Sequence, residues 1–407
     1  MSIELLAPAG DLEKLKIAVD YGADAVYFGG ESFSLRAGAG NLNLNEMREG
    51  IAYAHGKGVK CYLTVNIYPH NEDIEPLEEF LRAVKDYEID AFLVSDPGAM
   101  DVLKEIIPDA AIHLSTQANM TNLRTARFWK RQGVSRIVCA RELTIKEICE
   151  LTSGMKDEME FECFVHGAMC ISYSGRCLLS NFMAERDANR GMCAHPCRWK
   201  YALLEEQRPG EYYPIEEDKR GSYILNSRDL CMIEHIPELA KAGICSFKIE
   251  GRAKSIFYVA TIVSAYRRAI DAYERDPEGY RFDPSWLEEV KKVSHREFTT
   301  GFFFDKPTNE DQNYQTSDYT RDYSFVGLIK DYDSESRFSL VEQRNKMLLG
   351  DEIEVFGPGT DFWTQKIELM IDAESGEELS SAPHPKQSVK IRLERPAGKN
   401  FMIRKRK

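Results

Sequence analysis

The sequence predicts a (β/α)8 TIM-like barrel with a Cys-rich insertion, followed by a small all-β barrel domain. Three observations predict it. Over the first ~250 residues, eight short apolar runs alternate with helical stretches. The lead-ins DYGADAVYFGG, KGVKCYLTVN, RQGVSRIVCA and KAGICSFKIE are variants of one unit, in which a glycine caps a helix and an apolar run follows. Beyond residue 323 the pattern changes to short strands separated by turns.

The apolar runs begin at Ile3 (IELLAPAG), Ala25 (AVYFGG), Lys60 (KCYLTVN), Ala91 (AFLVSD), Ala111 (AIHLSTQ), Arg136 (RIVCARE), Met159 (MEFECFVHG) and Ser246 (SFKIEGR). Such runs suit parallel strands buried on both faces. A doubly wound open sheet is the alternative. The count of eight, and the lack of a Gly-rich dinucleotide turn after the first run, favour the barrel.

The connection between the seventh and eighth runs, Ala168 to Cys245, is 78 residues long. A connection of that length is usually functional or a subdomain. It holds four cysteines, a polar stretch from Glu205 to Arg220, and a helix expected to be capped by Asn226–Asp229. Loops leaving the C-terminal strand ends of a barrel form its active face, so the cysteines are expected over the mouth. Phe257 to Asp276 has helical periodicity and is expected to close the barrel. The domains are therefore 1–310 for the barrel with its insertion 168–245, 311–323 for a linker, and 324–407 for the β domain.

The chain has 407 residues, 43% of them hydrophobic, with a net charge of −13. An acidic balance disfavours a broad nucleic-acid surface. The last 22 residues, Lys386 to Lys407, nevertheless carry nine Lys/Arg and one acid, Glu394. That asymmetry fits an RNA-contacting surface as well as a solvated tail. No run of ~18 apolar residues is present, so no membrane span is expected. The N-terminus lacks the pattern of a secretory signal, and ten cysteines without a disulfide-rich character suit a reducing, cytoplasmic setting.

Cys170, Cys177, Cys193 and Cys197 are spaced x6, x15 and x3. Structural zinc usually takes two close pairs, and only one pair here is close. An iron–sulfur cluster takes four thiolates without fixed close pairs, which suits the spacing better. Zinc and buried free thiols remain alternatives, and His166, His195 or Cys231 could replace one ligand. Cys61, Cys139 and Cys245 fall in strand patterns and Cys149 in a helix, where small core residues are expected.

The strand ends supply polar groups. They are Glu31 and Arg36 after the second run, Asn66, His70 and Asn71 after the third, and Asp96 after the fourth. Gln117, Asn119 and Asn122 follow the fifth, Arg141 and Glu142 the sixth, and His166 the seventh; Lys248, Glu250 and Arg252 lie along the eighth. Amides such as Asn66, Gln117 and Asn119 can read a planar base. Arg36, Arg141 and Arg252 can grip a carboxylate or phosphate, with Lys248 and Glu142 beside them. His166 is the expected general base and Glu250 the second catalytic candidate. Some of these residues are expected to be structural ion pairs instead. HExxH, GxSxG and Walker motifs are missing, and four clustered cysteines do not suit a protease with one activated thiolate.

Glu162, Phe164, Gly167-Ala168-Met169-Cys170, Gly175, Cys177, Leu179 and Ser180 match the signature of the collagenase-like "unassigned peptidase" family. APAGDLEKLKIAVDYGADAVYFGG, STQANMTN, FVHGAMC, NSRDLC, KIEGR and HREFTTGFF match as well, so the chain resembles this family over nearly its whole length. Early members were described as proteases, whereas better-understood branches carry a [4Fe–4S] cluster and do redox chemistry on RNA or quinone precursors. With its C-terminal barrel and ANRGMCAHPCRW, the chain is similar to the tRNA-hydroxylating branch. That resemblance implies 5-hydroxyuridine formation at the wobble position, dependence on prephenate, and cluster ligands Cys170, Cys177, Cys193 and Cys197, with Cys231 in reserve. It also implies tRNA as a partner, and a paralogous protein as a second. The rival expectations are a collagenase-like peptidase, a factor hydroxylating a cytidine of 23S ribosomal RNA, and a non-catalytic RNA-binding cluster carrier.

Overall fold

The computed structural model describes residues 2–31, 33–34, 40–170, 172–199, 202–204, 212–214, 228–305 and 319–407. Strands and helices alternate from the start: β1 (Glu4–Pro8), α1 (Leu12–Asp20), β2 (Ala25–Gly29), α2 (Leu44–His55), β3 (Lys60–Val65), α3 (Asn71–Val84), β4 (Ala91–Val94) and α4 (Pro97–Ile106). Then come β5 (Ile112–Leu114), α5 (Leu123–Arg131), β6 (Val134–Val138), α6 (Ile145–Gly154) and β7 (Glu160–Ala168). The insertion carries α7 (Leu179–Ala184), β8 (Ala202–Leu204), β9 (Tyr212–Pro214), β10 (Asp229–Cys231) and α8 (Ile236–Lys241). β11 (Ser246–Ile249), α9 (Ile256–Arg275), α10 (Pro284–Lys291) and β12 (Phe298–Thr299) complete the first domain.

The eight apolar runs are eight parallel strands in the order β11-β1-β2-β3-β4-β5-β6-β7, and pairing of β11 with β7 closes the barrel. The helices start where short polar side chains satisfy first-turn N–H groups. Asp11 accepts from Lys14 N, and Asn43 and Thr144 form reciprocal capping boxes with Glu46 and Glu147. α9 is buried along twelve residues, from Ile256 to Ile270, as a helix wedged between the barrel and the second domain must be.

Charged groups fill part of the barrel interior. Arg136 reaches Glu4, Glu160 at 2.8 Å and Glu162 at 3.4 Å, and Glu162 also accepts from Lys248 Nζ at 2.6 Å. Glu162 and Lys248 are buried, so each ion needs the other to offset its lost hydration.

One local expectation is corrected. Asp229 does not cap a helix; Asp229–Cys231 is β10, antiparallel to the end of β7, and the next α-helix waits for Pro237 in its first turn. β7 also carries one extra residue: Lys248 pairs with Phe164, but Ile249 pairs with His166. This bulge at Val165 reverses the in–out parity of everything after it. The Val165 carbonyl is satisfied by the Tyr266 hydroxyl at 2.8 Å and Met232 N at 2.9 Å.

The second domain comprises β13 (Tyr323–Tyr332), β14 (Phe338–Gln343), β15 (Met347–Leu348), β16 (Glu352–Phe356), β17 (Trp363–Lys366), β18 (Met370–Asp372), β19 (Ser381–Ala382), β20 (Ser388–Arg392) and β21 (Met402–Arg406). Seven of these form one antiparallel sheet, β17-β16-β21-β13-β14-β20-β18, curled into a half-barrel over its own apolar core. Its Leu328, Phe356 and Met402 join the core of the first domain. Phe325 stacks on Phe257 of α9 with ring centres 5.5 Å apart. Residues 306–318, which include most of the expected linker, lie outside the described residues. Among the described residues, no helix is long and apolar enough to cross a membrane.

Candidate active site

The C-terminal ends of the barrel strands and the cysteine insertion enclose one cavity of about 1190 Å³, counting its open mouth. Asn66, Gln117, Arg141, Lys248, Glu250 and Arg252 line it from the strand ends, and Cys170, Cys177, Cys193 and Cys197 from the insertion. Residues at the ends of β3, β5, β6 and β11, and on the insertion that leaves β7, thus meet where barrel enzymes place their chemistry.

The amides are held in a chain. Asn66 Nδ2 donates to Ser115 Oγ at 3.3 Å and Gln117 Oε1 at 3.5 Å, and the Tyr68 hydroxyl donates to the Gln117 carbonyl at 2.6 Å. Arg252 is buried and donates to Ser34, Asn41 and, at 3.2 Å, to Thr64 Oγ1. Arg141 donates to the Ala168 carbonyl at 2.7 Å, and its guanidinium lies 4.1 Å from the Phe164 ring centre. Lys248 Nζ sits 4.5 Å from the centre of the Tyr27 ring. Burial lowers the Lys248 ammonium below the ordinary lysine range, while the Glu162 carboxylate pulls the other way.

The insertion is fastened to the barrel loops. Asn119, in a left-handed conformation, donates to the carbonyls of Gln117 at 2.7 Å and Ser174 at 3.3 Å. Arg190 pairs with Asp73 at 2.8 Å, and Ala194 N donates to Ser180 Oγ at 2.9 Å. Cys177 Sγ accepts from Leu179 N and Cys193 Sγ from His195 N, both at 3.4 Å. Four cysteine sulfurs on one insertion, two of them accepting backbone N–H groups, form a donor set that suits a thiolate-bound metal group. Among the described residues, the group of three His, Cys or acidic ligand atoms within 4.8 Å of one another is His55, Cys61 and Asp90, and no three of the window's sulfurs meet that distance.

Several expected site residues lie elsewhere. His166 does not reach the cavity: the β7 bulge turns it outward beside Ile249. There it packs against Tyr258, Tyr266 and Phe298, with Nδ1 3.4 Å from the Tyr266 hydroxyl. Burial pushes its imidazole down to about 3, so it stays neutral and is no general base for the cavity. Cys231 pairs with His166 across the β10–β7 ladder, is buried, and does not line the cavity. Burial pushes its thiol up to about 12. Glu142 and Asn119 do not line the cavity either, and Asn119 acts as the staple described above. Arg36 lies outside the described residues. Asp96 and Asn122 are helix N-caps.

Sequence reading missed Tyr27, Phe164 and Glu162 as site residues. Tyr27 and Phe164 line the cavity, and Glu162 holds Lys248 beneath it. The signal was available: in a barrel strand every second residue points inward, and Glu162 and Phe164 share one parity.

The sequence profile of peptidase family U32 matches residues 10–313, and that of the peptidase family U32 C-terminal domain matches residues 321–404. The chain is 44% identical to tRNA hydroxylation protein P1 of Bacillus subtilis, over 99% of this chain and 95% of that protein. It is 33% identical to a protein named collagenase from Porphyromonas gingivalis, over 99% and 98%. It is 36% identical to the 23S rRNA 5-hydroxycytidine C2501 synthase of Escherichia coli, over 66% of this chain and 39% of that protein.

Proposed function

The chain belongs to peptidase family U32, and on that premise we propose that it hydroxylates RNA, with a base of tRNA as its substrate. One observation carries the proposal: four thiols meet amides and cations in one cavity at the barrel mouth. The finer reading is 5-hydroxyuridine formation at the wobble position, with prephenate as co-substrate and a [4Fe–4S] cluster on Cys170, Cys177, Cys193 and Cys197. The irregular spacing of the four cysteines along the chain, x6, x15 and x3, supports the cluster over zinc. Bound there, the cluster would supply one-electron redox chemistry, which peptide hydrolysis does not need.

The chain's own residues do the rest. Asn66 and Gln117 present hydrogen-bonding edges to a planar base, and Tyr27 and Phe164 present apolar ring surface. Arg141, Lys248 and Arg252 concentrate positive charge for a dicarboxylate. Glu250 is the cavity carboxylate able to take a proton. A base enters only when unstacked, and a loop base such as the wobble position is reached at low cost.

Nucleoside mass spectrometry of tRNA from a strain lacking the gene tests this. Loss of 5-hydroxyuridine, restored by the wild-type gene and not by Cys177→Ser, is expected; an unchanged level overturns the tRNA reading. Loss of a hydroxylated cytidine from ribosomal RNA would move the substrate to that RNA. Anaerobic purification should yield about four irons per chain. Iron should fall with any of Cys170→Ser, Cys177→Ser, Cys193→Ser or Cys197→Ser, and persist in Cys231→Ser. A tRNA binder with unchanged nucleosides would be a cluster carrier. A collagenase-like activity is disfavoured because the Cys170–His166 pair a thiol protease could use is split. Robust turnover of denatured collagen, abolished by Cys170→Ala, would restore it.

A further inference from the structure

We propose that the outer face of the cysteine insertion is a stacking platform for the unpaired nucleotides that flank the target base, an inference that rests on the RNA reading above. Along the insertion, cavity-lining residues interleave with outward ones: Ser174, Gly175, Cys177, Leu179 and Ser180 line the cavity. Tyr173, Leu178, Phe182, Met183, Met192 and Trp199 keep between 44% and 78% of their surface exposed. So many large apolar side chains on one loop segment mark a contact surface and not ordinary scatter.

Charge decides what covers it. Residues 170–199 hold four arginines against two acids in a chain of net charge −13, and one of the four, Arg190, is tied to Asp73. Arg176 and Arg186 are exposed, and the Arg176 guanidinium lies 5.5 Å from the Tyr68 ring centre. Tyr68 in turn holds Gln117, one of the amides inside the cavity. A polyanion with exposed flat bases fits this combination of rings and arginines, as in proteins that bind single strands. A protein seated permanently on the same face would cover the mouth through which a base must pass. Duplex RNA offers no free base faces to the rings.

The test uses the full-length protein and a tRNA anticodon stem-loop with 2-aminopurine beside the target uridine. Phe182→Ala and Trp199→Ala should each weaken binding by about tenfold and abolish the change in 2-aminopurine fluorescence. Phe182→Trp should keep both, because any flat ring serves. Phe128→Ala, which alters an exposed ring on α5, should change neither. Equal loss with a fully paired RNA duplex would overturn the stacking platform. So would unchanged binding in both alanine variants, or sedimentation showing that they dissolve a protein oligomer. If the wild-type protein hydroxylates tRNA while the variants bind normally, the platform fails and the RNA reading stands. If the wild-type protein neither binds the stem-loop nor hydroxylates tRNA, both fail.

Discussion

Burial and three aromatic neighbours keep His166 neutral, with its imidazole pushed down to about 3 from an ordinary value near 6.5. The unfolded chain binds this proton below pH 6.5 and the folded chain does not. The stability that this difference contributes is therefore complete above pH 6.5 and is lost as pH falls toward 3. At pH 5 the loss is about 2 kcal/mol from this group. Urea unfolding at pH 7 and pH 5 measures it. His166→Gln should be less stable at pH 7 yet lose less between the two pH values. An equal loss in both proteins would show that His166 is not the group responsible. By the same burial, the proposed hydroxylation should show no histidine titration from this position.

At the scale of elements, the end of β7 governs the site. Gly167 follows the bulge with φ +112°, and a Cβ there would lie 2.8 Å from both the Cβ and the carbonyl oxygen of Glu250. Glycine avoids both the left-handed strain and the clash. Gly167→Ala should cost about 1–3 kcal/mol and displace Glu250 from the cavity. A lowered melting temperature with a falling hydroxylation rate in tRNA would confirm the coupling; a normal rate would deny it. Strand positions were legible in the sequence because buried parallel strands are near-continuous apolar runs, as in AVYFG and AFLV. The bulge was not legible. It depends on how β7 registers against β11, more than eighty residues further along the chain. Asp229 misled for a related reason: its carboxylate receives Arg296 N at 3.2 Å and is 3.5 Å from the Arg296 guanidinium, so it serves β10 and not a helix start.

At the scale of the whole molecule, the two domains are locked by a buried cation. Arg404 of β21 is fully buried, with Nε 2.7 Å from Glu354 and Nη2 2.9 Å from Glu289 of α10. Its charge helps hold the Glu289 carboxyl below the usual glutamate range despite burial. Arg404→Met removes that charge and leaves the Glu289 and Glu354 carboxylates to Lys292 alone, whose Nζ lies 2.7 and 2.9 Å from them. It should cost about 3–5 kcal/mol and expose the domain junction to limited proteolysis. An unchanged melting temperature would show that the other contacts across the junction, Leu328, Phe356 and Met402 in the shared core and the Phe257–Phe325 stack among them, hold the domains without it. The basic C-terminal run thus divides by function. Arg404 and Lys405 are tied to Glu354 and Asp351, whereas Lys386, Lys390, Arg392, Arg395, Lys399, Arg406 and Lys407 are exposed. The exposed set leaves positive charge on an acidic chain where the body of an RNA could rest.

What the sequence by itself determined was periodic or local: eight strands, the change to β structure, and four cysteines placed after the seventh strand. Those features follow from apolar spacing and chain order, which one sequence displays in full. Only the tertiary structure decided which polar residues share the cavity. It brought Asn66, Gln117, Arg141, Lys248, Glu250 and Arg252 to the four thiols. It also removed His166 and Cys231 from them by one extra residue in β7. A single-residue change of register leaves the apolar pattern nearly intact but reverses which side of the sheet a side chain occupies.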